Sequence, residues 1–368
     1  MLFLFIGSTG DAAGHTLVTW AIARRLAEKG LRVGFIKPVG SHPVQFNGVW
    51  TDHDALLFKE ALDLPEPLSQ ICPRPLSDEA WKEMGSPEIL MDLKGFLQKL
   101  SVDKDVLIVM GSRHVFFDDA TGPLPDSSFI PALKADFILV HRPRKISKSI
   151  YSILSIYSLL KDNIRGIVFN RVPPSDLPSL RERVLPSLIQ KGVPVTTALP
   201  EDPVLSYRTL REIGEVLGGR VLCGEGSLEQ PIASMTVGSA DLTGGLLIFK
   251  RAYNKIVLLG PGPQGSERHP QERPVAGILL TGGRQPAPQL LQAAGKAGIP
   301  LLLVGDDTFA ALERLEQSPS LLSSRDEVKV RRFTELMEQD NGLHRLLERL
   351  RLPGLCKPTA ATKAGPAV

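Results

Sequence analysis

Met1-Leu-Phe-Leu-Phe-Ile6, running into Gly7-Ser-Thr-Gly-Asp-Ala-Ala-Gly14-His15-Thr16, is the stretch that decides the fold. An apolar run of strand length meets a glycine-rich turn. Leu17, Ala21 and Leu26 then recur with the period of a half-buried helix. Strand, small-residue loop and helix N-terminus in this order build a phosphate cradle, because backbone N–H groups converge there and the helix dipole favours an anion. Against the pattern G-x-x-x-x-G-K-[ST], Gly14 and Thr16 are in place, Thr9 takes the first glycine position and His15 replaces the lysine. The cradle is present in outline and its main positive charge is missing.

The chain of 368 residues is long enough for two domains, each with its own core. A hydrophobic fraction of 43% and a charged fraction of 23% are those of a soluble globular protein. The net charge of +3, from 43 basic and 40 acidic residues, is too small to argue for a nucleic-acid partner. Cys72, Cys223 and Cys356 form no metal-ligand spacing, so a reducing, cytoplasmic compartment is expected. The N-terminal apolar run is only a strand long and has no basic leader, which predicts neither a signal peptide nor a membrane anchor.

Further along, Leu31 to Ile36 reads as a second buried strand after a Gly30 helix cap. It delivers Lys37 to a strand's carboxyl end, where ligands bind in open parallel sheets. Thr51-Asp-His-Asp54 opens a helix. Asp52 or Asp54 caps its start, or a carboxylate there helps hold Mg²⁺ beside nucleotide phosphates. A helix is expected from about Pro87 to Leu100. The third strand, Asp105 to Met110, ends on an apolar side chain, most simply a packing residue, where P-loop enzymes carry an acid. Asp118 and Asp119, a few residues on, are either its replacements or solvated loop acids. The fourth, Ala135 to Val140, runs into His141-Arg142-Pro143-Arg144-Lys145, either a solvated basic loop or an anion site. The fifth, Ile164 to Phe169, ends in Asn170, whose amide matches the donor–acceptor edge of a purine. The sixth spans Val193 to Leu199. Strands alternating with helices predict an α/β fold, a doubly wound, mostly parallel sheet with one ligand edge.

Thr9-Gly-Asp-Ala-Ala-Gly-His-Thr16, Lys37-Pro-Val39, Thr51-Asp-His-Asp54, Asn170-Arg-Val172 and Pro200-Glu-Asp-Pro203, in that order, resemble the P-loop domain of dethiobiotin synthetases. They resemble still more the related N-terminal domain of long bacterial phosphotransacetylases and its stand-alone relatives. The resemblance implies that Thr9, Gly10, Asp11, Ala12, Ala13, Gly14, His15 and Thr16 hold the phosphates of ATP. It also implies that Lys37 faces them, that Thr16 and Asp54 reach Mg²⁺, and that Asn170 meets the adenine. The synthetases have lysine where this chain has His15, and glutamate where it has Met110. A neutral imidazole at 15 adds little; a bound phosphate would favour its protonated form.

Residues 1–218 are expected to form the P-loop domain, 219–352 a smaller α/β domain, and 353–368 a disordered tail. In the second domain short apolar runs at Gly245 to Phe249, Lys255 to Gly260, Val275 to Leu280 and Pro300 to Val304 alternate with helical stretches. Ser234-Met-Thr-Val-Gly238, Ala276-Gly-Ile-Leu-Leu-Thr-Gly-Gly283 and Ile299-Pro-Leu-Leu-Leu-Val-Gly-Asp-Asp-Thr308 resemble the DRTGG domain. Thr281-Gly-Gly283 reads as a tight turn or as N–H groups facing an anion. Val328 to Leu350 is expected to be one or two amphipathic helices.

These expectations add up to a degenerate P-loop nucleotide-binding protein with ATP and Mg²⁺ as cofactors. Its role would be regulatory, sensing or scaffolding, as a homo-oligomer or with a separate metabolic enzyme subunit, with no nucleic-acid or membrane partner. The alternative is a weak Mg-ATP-dependent synthetase activating a carboxylate or carbamate. No catalytic residue is assigned.

Overall fold

The structure is a computed structural model that describes residues 1–10, 12–75, 95–112, 114–116, 126–238, 256–261, 275–318 and 320–352. The chain divides into two units. One holds Met1–Glu201 together with the described residues from Leu322 onward; the other is Asp202–Leu321.

The first unit is built on β1 (Leu2–Ser8), β2 (Val33–Ile36), β3 (Val39–Gly40), β4 (Pro43–Phe46), β5 (Val49–Asp52), β6 (Arg74–Pro75), β7 (Val106–Met110), β8 (Asp136–His141), β9 (Ile164–Val172) and β10 (Val195–Pro200). Its main sheet has the order β10-β9-β8-β1-β7-β2 with every neighbour parallel. This is the expected doubly wound sheet. Strands β7 and β8 are buried along their whole length, as unbroken apolar runs require when both faces of a parallel sheet are covered. Phe5 packs edge-on against Phe137 with ring centroids 6.0 Å apart, and Phe35 stacks on Phe58 at 4.2 Å. Because β1 lies between β7 and β8, its loop falls in the middle of the carboxyl edge.

Helix α1 (His15–Glu28) leaves that loop, and helix α2 (His53–Ala61) follows β5. Between β2 and α2, where the hydrophobic periodicity gave no element, β4 and β5 form an antiparallel hairpin. Its two-residue turn is Asn47-Gly48, with φ of 49° and 77°. Both central residues of a type I′ turn need positive φ, and Asn-Gly supplies it.

The second unit contains β11 (Arg208–Thr209), β12 (Arg220–Cys223), β13 (Pro231–Gly238), β14 (Ile256–Pro261), β15 (Gly277–Leu280) and β16 (Leu301–Leu303). They form one mixed sheet of order β11-β13-β14-β15-β16-β12, in which β15 and β16 are parallel and the other neighbours antiparallel. The turn at Thr281-Gly-Gly283 has its N–H groups occupied: Gly282 donates to the Asp306 carbonyl at 2.7 Å and Gly283 to that of Val304 at 2.9 Å. The tight-turn reading holds there, and the anion reading does not.

Two expectations about domain limits are corrected. The helix Leu210–Leu217 does not close the first unit. Its Leu210, Ile213 and Leu217 enter the core of the second, with Leu279 and Leu302. The helices Glu327–Gln339 and Gly342–Glu348, expected in the second domain, return to the first. Thr197 Oγ1 donates to Asp340 at 2.7 Å, Arg345 Nε to the Thr196 carbonyl at 3.0 Å, and Arg351 Nε lies 2.8 Å from Asp136 Oδ1. Periodicity marks these segments as helices but does not say which core their apolar faces join. The expected strand Gly245 to Phe249, the tail 353–368, and Asp11, Asp118 and Asp119 lie outside the described residues. So does most of the expected helix Pro87 to Leu100, whose residues 95–100 are helical.

Candidate nucleotide-binding site

The loop after β1 is held from several directions. Ser8 Oγ donates to the Gly10 carbonyl at 3.2 Å, and the Thr9 N–H donates to the Val140 carbonyl at 3.2 Å. Thr9 Oγ1 and His141 Nδ1 are 2.7 Å apart. Gly14 precedes α1 with φ of 81°, and a Cβ there would stand 2.4 Å from Asn170 Nδ2. Both the left-handed backbone and the close amide require glycine.

Asn170 Nδ2 donates to the Ala13 carbonyl at 2.8 Å, and Arg171 Nη1 to the Ala12 carbonyl at 3.2 Å. Arg171 carries φ of 55°, which for a residue with a side chain costs about 1–2 kcal/mol. Successive side chains on a strand ordinarily point to opposite faces. Here the left-handed turn at 171 accompanies two consecutive side chains that grip two consecutive loop carbonyls.

On the other side of β1, Lys37 follows β2 with its side chain wholly buried. Its Nζ is paired with Asp54 Oδ2 and lies 3.2 Å from Asp52 Oδ1. Burial works against the ammonium, but Asp54 and Asp52 outweigh it and hold the Lys37 pKa above its ordinary value. Burial likewise opposes the Asp54 carboxylate, and Lys37 more than compensates, bringing its pKa to about 2. Asp52 caps α2, accepting from the Asp54 N–H at 2.8 Å, and its other oxygen accepts from the His42 N–H at 2.8 Å. The cap is therefore Asp52. Asp54 accepts instead from Thr16 Oγ1 at 3.2 Å, which joins the two expected metal ligands.

His15 has both ring nitrogens shut off from solvent and without a hydrogen-bond partner. Burial first, and then the charge of Lys37, lower its pKa to about 4. The group in the place of the loop lysine is thus neutral at pH 7. Its two orphaned nitrogens are one donor and one acceptor.

Of the basic run after β8, Arg142 pairs with Glu201 at 3.0 Å, while Arg144 and Lys145 are exposed. His141 is buried, and burial followed by His114 lowers its pKa to about 4. Met110 is fully buried in register with Ile6, a packing residue as read. Sequence reading missed Asp126. Its Oδ2 accepts from the Ser112 N–H at 2.9 Å and lies 2.3 Å from where a Cβ on Gly111 would stand. A buried carboxylate is thereby brought to the end of β7, between the loop and Lys37 in strand order. The glycine at 111 was the available signal: a missing side chain at a strand end leaves room for one from elsewhere.

Among the described residues no group of three His, Cys, Asp or Glu side chains could hold a metal ion. A cation at Thr16 and Asp54 would need further oxygens, as Mg²⁺ takes from substrate phosphates and water.

Residues 3–209 match the AAA domain family AAA_26. The chain belongs to this family. Residues 212–318 match the DRTGG domain. The AAA_26 and DRTGG domains together are similar to the phosphate acetyltransferase of Pseudomonas aeruginosa, 23% identical over 372 residues, covering 90% of this chain and 50% of that protein. The chain thus spans about half the length of that relative. The AAA_26 domain is also similar to the ATP-dependent dethiobiotin synthetase BioD of Ruthia magnifica subsp. Calyptogena magnifica, 28% identical over 183 residues, covering 47% of this chain and 82% of that one. Among solved structures, MinD cell division protein of Aquifex aeolicus matches with a TM-score of 0.32 and 17% identity over 56% of this chain and 84% of that one. Among the described residues no helix is long and apolar enough to cross a membrane.

Proposed function

We propose that the chain binds a magnesium–nucleotide complex, with ATP as the nucleotide, and uses its occupancy as a regulatory, sensing or scaffolding signal. The loop from Thr9 to Thr16 would receive the phosphates, Thr16 and Asp54 would hold Mg²⁺, and Asn170 would meet the base. The donor set fits: a hydroxyl and a carboxylate are hard oxygens, joined at 3.2 Å. Bound there, the cation supplies the positive charge that the loop itself lacks.

One observation carries the reading. Lys37 is enclosed by Asp52 and Asp54, so one ammonium faces two carboxylates and the buried group has a net charge of −1. With His15 neutral, the protein offers little positive charge to a phosphate undergoing transfer. Phosphoryl transfer rests on positioning and electrostatics, so such a site is suited to binding more than to turnover. The similarity to phosphate acetyltransferases supports a separate metabolic enzyme subunit as partner, and a homo-oligomer in the cytoplasm is the expected form.

The second reading is a weak Mg-ATP-dependent synthetase activating a carboxylate or carbamate. It is favoured by the Asp126 carboxylate at the end of β7 and by the similarity to BioD. Calorimetry with ATP, with and without Mg²⁺, and an assay of the same samples for ADP separate the two. Mg²⁺-dependent heat without ADP is the expected result. ADP formation establishes the synthetase reading, and no heat at millimolar nucleotide removes both.

A further inference from the structure

We propose that Arg171 recognises the nucleoside end of the ligand, its guanidinium lying against the face of a purine whose edge meets the Asn170 amide. This rests on the nucleotide reading above and assigns a residue that the reading leaves out.

Asn170 and Arg171 are chain neighbours at the end of β9, and they hold the Ala13 and Ala12 carbonyls of one loop. A left-handed φ of 55° at Arg171 goes with this departure from strand alternation. Backbone strain of that kind persists where the surroundings over-determine it, and it collects at ligand sites. The side chain is also under-used. A guanidinium has five N–H donors, and this one has a single hydrogen bond, from Nη1, and no ion pair among the described residues. Its neighbour Arg142 takes the carboxylate of Glu201. Burial, and then the charge of Arg142, lower the Arg171 pKa, with Glu201 acting the other way, so the group is partly withdrawn from water while the nearby carboxylate is paired with Arg142.

Strand order gives the direction. The proposed metal ligands lie with Lys37 on the β2 side of the loop, and Arg171 lies on the β9 side. Thr16 and Asp54 would hold the metal and the terminal phosphates on the β2 side, so a nucleotide seated on this loop would turn its nucleoside toward β9. A planar, weakly hydrated guanidinium is suited to an aromatic face.

The test compares Mg·ATP with Mg·tripolyphosphate, which has the phosphates without the base, by calorimetry on the full chain. Arg171→Ala should weaken Mg·ATP by about tenfold more than Mg·tripolyphosphate, the scale of one half-buried cation–π contact. Any loosening of the Ala12 carbonyl that Arg171 holds is shared by both ligands. Arg171→Lys keeps the charge, loses the plane and should show the same split to a smaller extent, which guards against a folding defect in the alanine variant. Equal weakening of both ligands in either variant overturns the proposal, since Arg171 would then support the loop or touch phosphate. No weakening overturns it too. Wild-type protein that binds tripolyphosphate as tightly as ATP overturns it while leaving the phosphate site standing. Wild-type protein that binds neither removes the nucleotide reading itself.

Discussion

Lys37 Nζ lies 3.2 Å from Asp52 Oδ1, and solvent reaches neither side chain. The lysine at the end of β2 is therefore a buried structural charge as well as a candidate phosphate ligand. Its second partner, Asp54, is the residue that also binds Thr16.

Removing the lysine should reveal this structural role. Lys37→Met leaves two carboxylates buried without compensation, and breaking a buried pair in this way costs about 3–5 kcal/mol. Urea unfolding of the single variant should show a loss of that size. The double variant Lys37→Met/Asp54→Asn should recover part of it. Full additivity of the two changes would show that the pair is not coupled.

Acid should weaken the first unit through Asp54. Its pKa in the fold, about 2, is below the ordinary 3.8. A carboxylate depressed in this way contributes stability that is fully present above its unfolded pKa and is lost as the pH falls through the folded value. Unfolding measured from pH 5 to pH 2 should show the loss, with a shallower slope in Asp54→Asn. An identical slope in that variant would place the acid sensitivity elsewhere.

Restoring a cation to the loop should change the demand for metal. His15→Lys puts an ammonium beside Lys37, Asp52 and Asp54 and brings that group to neutrality. Charge-stabilising contacts on phosphates are worth two to three orders of magnitude or so in rate, and a smaller gain is expected in binding. Metal-free ATP should bind at least several-fold more tightly than to wild type, and the effect of Mg²⁺ should shrink. Unchanged metal dependence would count against Thr16 and Asp54 as its ligands.

The returning C-terminal helices should be needed for the first unit. Asp136 is buried between Arg165 Nε and Arg351 Nε, each at 2.8 Å. A chain ending at residue 321 loses Arg351 as well as Arg345 and the apolar face around Phe333 and Leu346. Its melting temperature should fall by several degrees or more, the response to a loss of a few kcal/mol. Addition of a peptide spanning 322–352 should raise it again.

What could be read from the chain follows what the physics makes local. The central strands β1, β7 and β8 of the main sheet are buried on both faces, so each carries a short apolar run. Gly14 is legible because a loop in a left-handed conformation must turn there. The roles of Lys37 and Asp52 were less visible, because a lysine at a strand end and a cap on a helix look alike whether or not they meet. His15 could be noted as a substitution, but its neutrality comes from burial and from Lys37, both properties of the assembled site. Asp126 was barely legible, since it lies fourteen positions along the chain from the Ser112 N–H it binds and only the missing side chain at Gly111 pointed to it. Residues 327–348 were recognised as helices and assigned to the wrong unit, because an amphipathic face carries no address.

The first unit is sewn from two stretches of chain, with the second unit spliced between them. A nick at the Glu201–Asp202 junction would therefore not set the halves free. The downstream fragment would still carry Arg345 and Arg351, seated on Thr196 and Asp136. Protease-cut protein should elute as one particle, and two plasmids encoding 1–201 and 202–368 should give pieces that find each other.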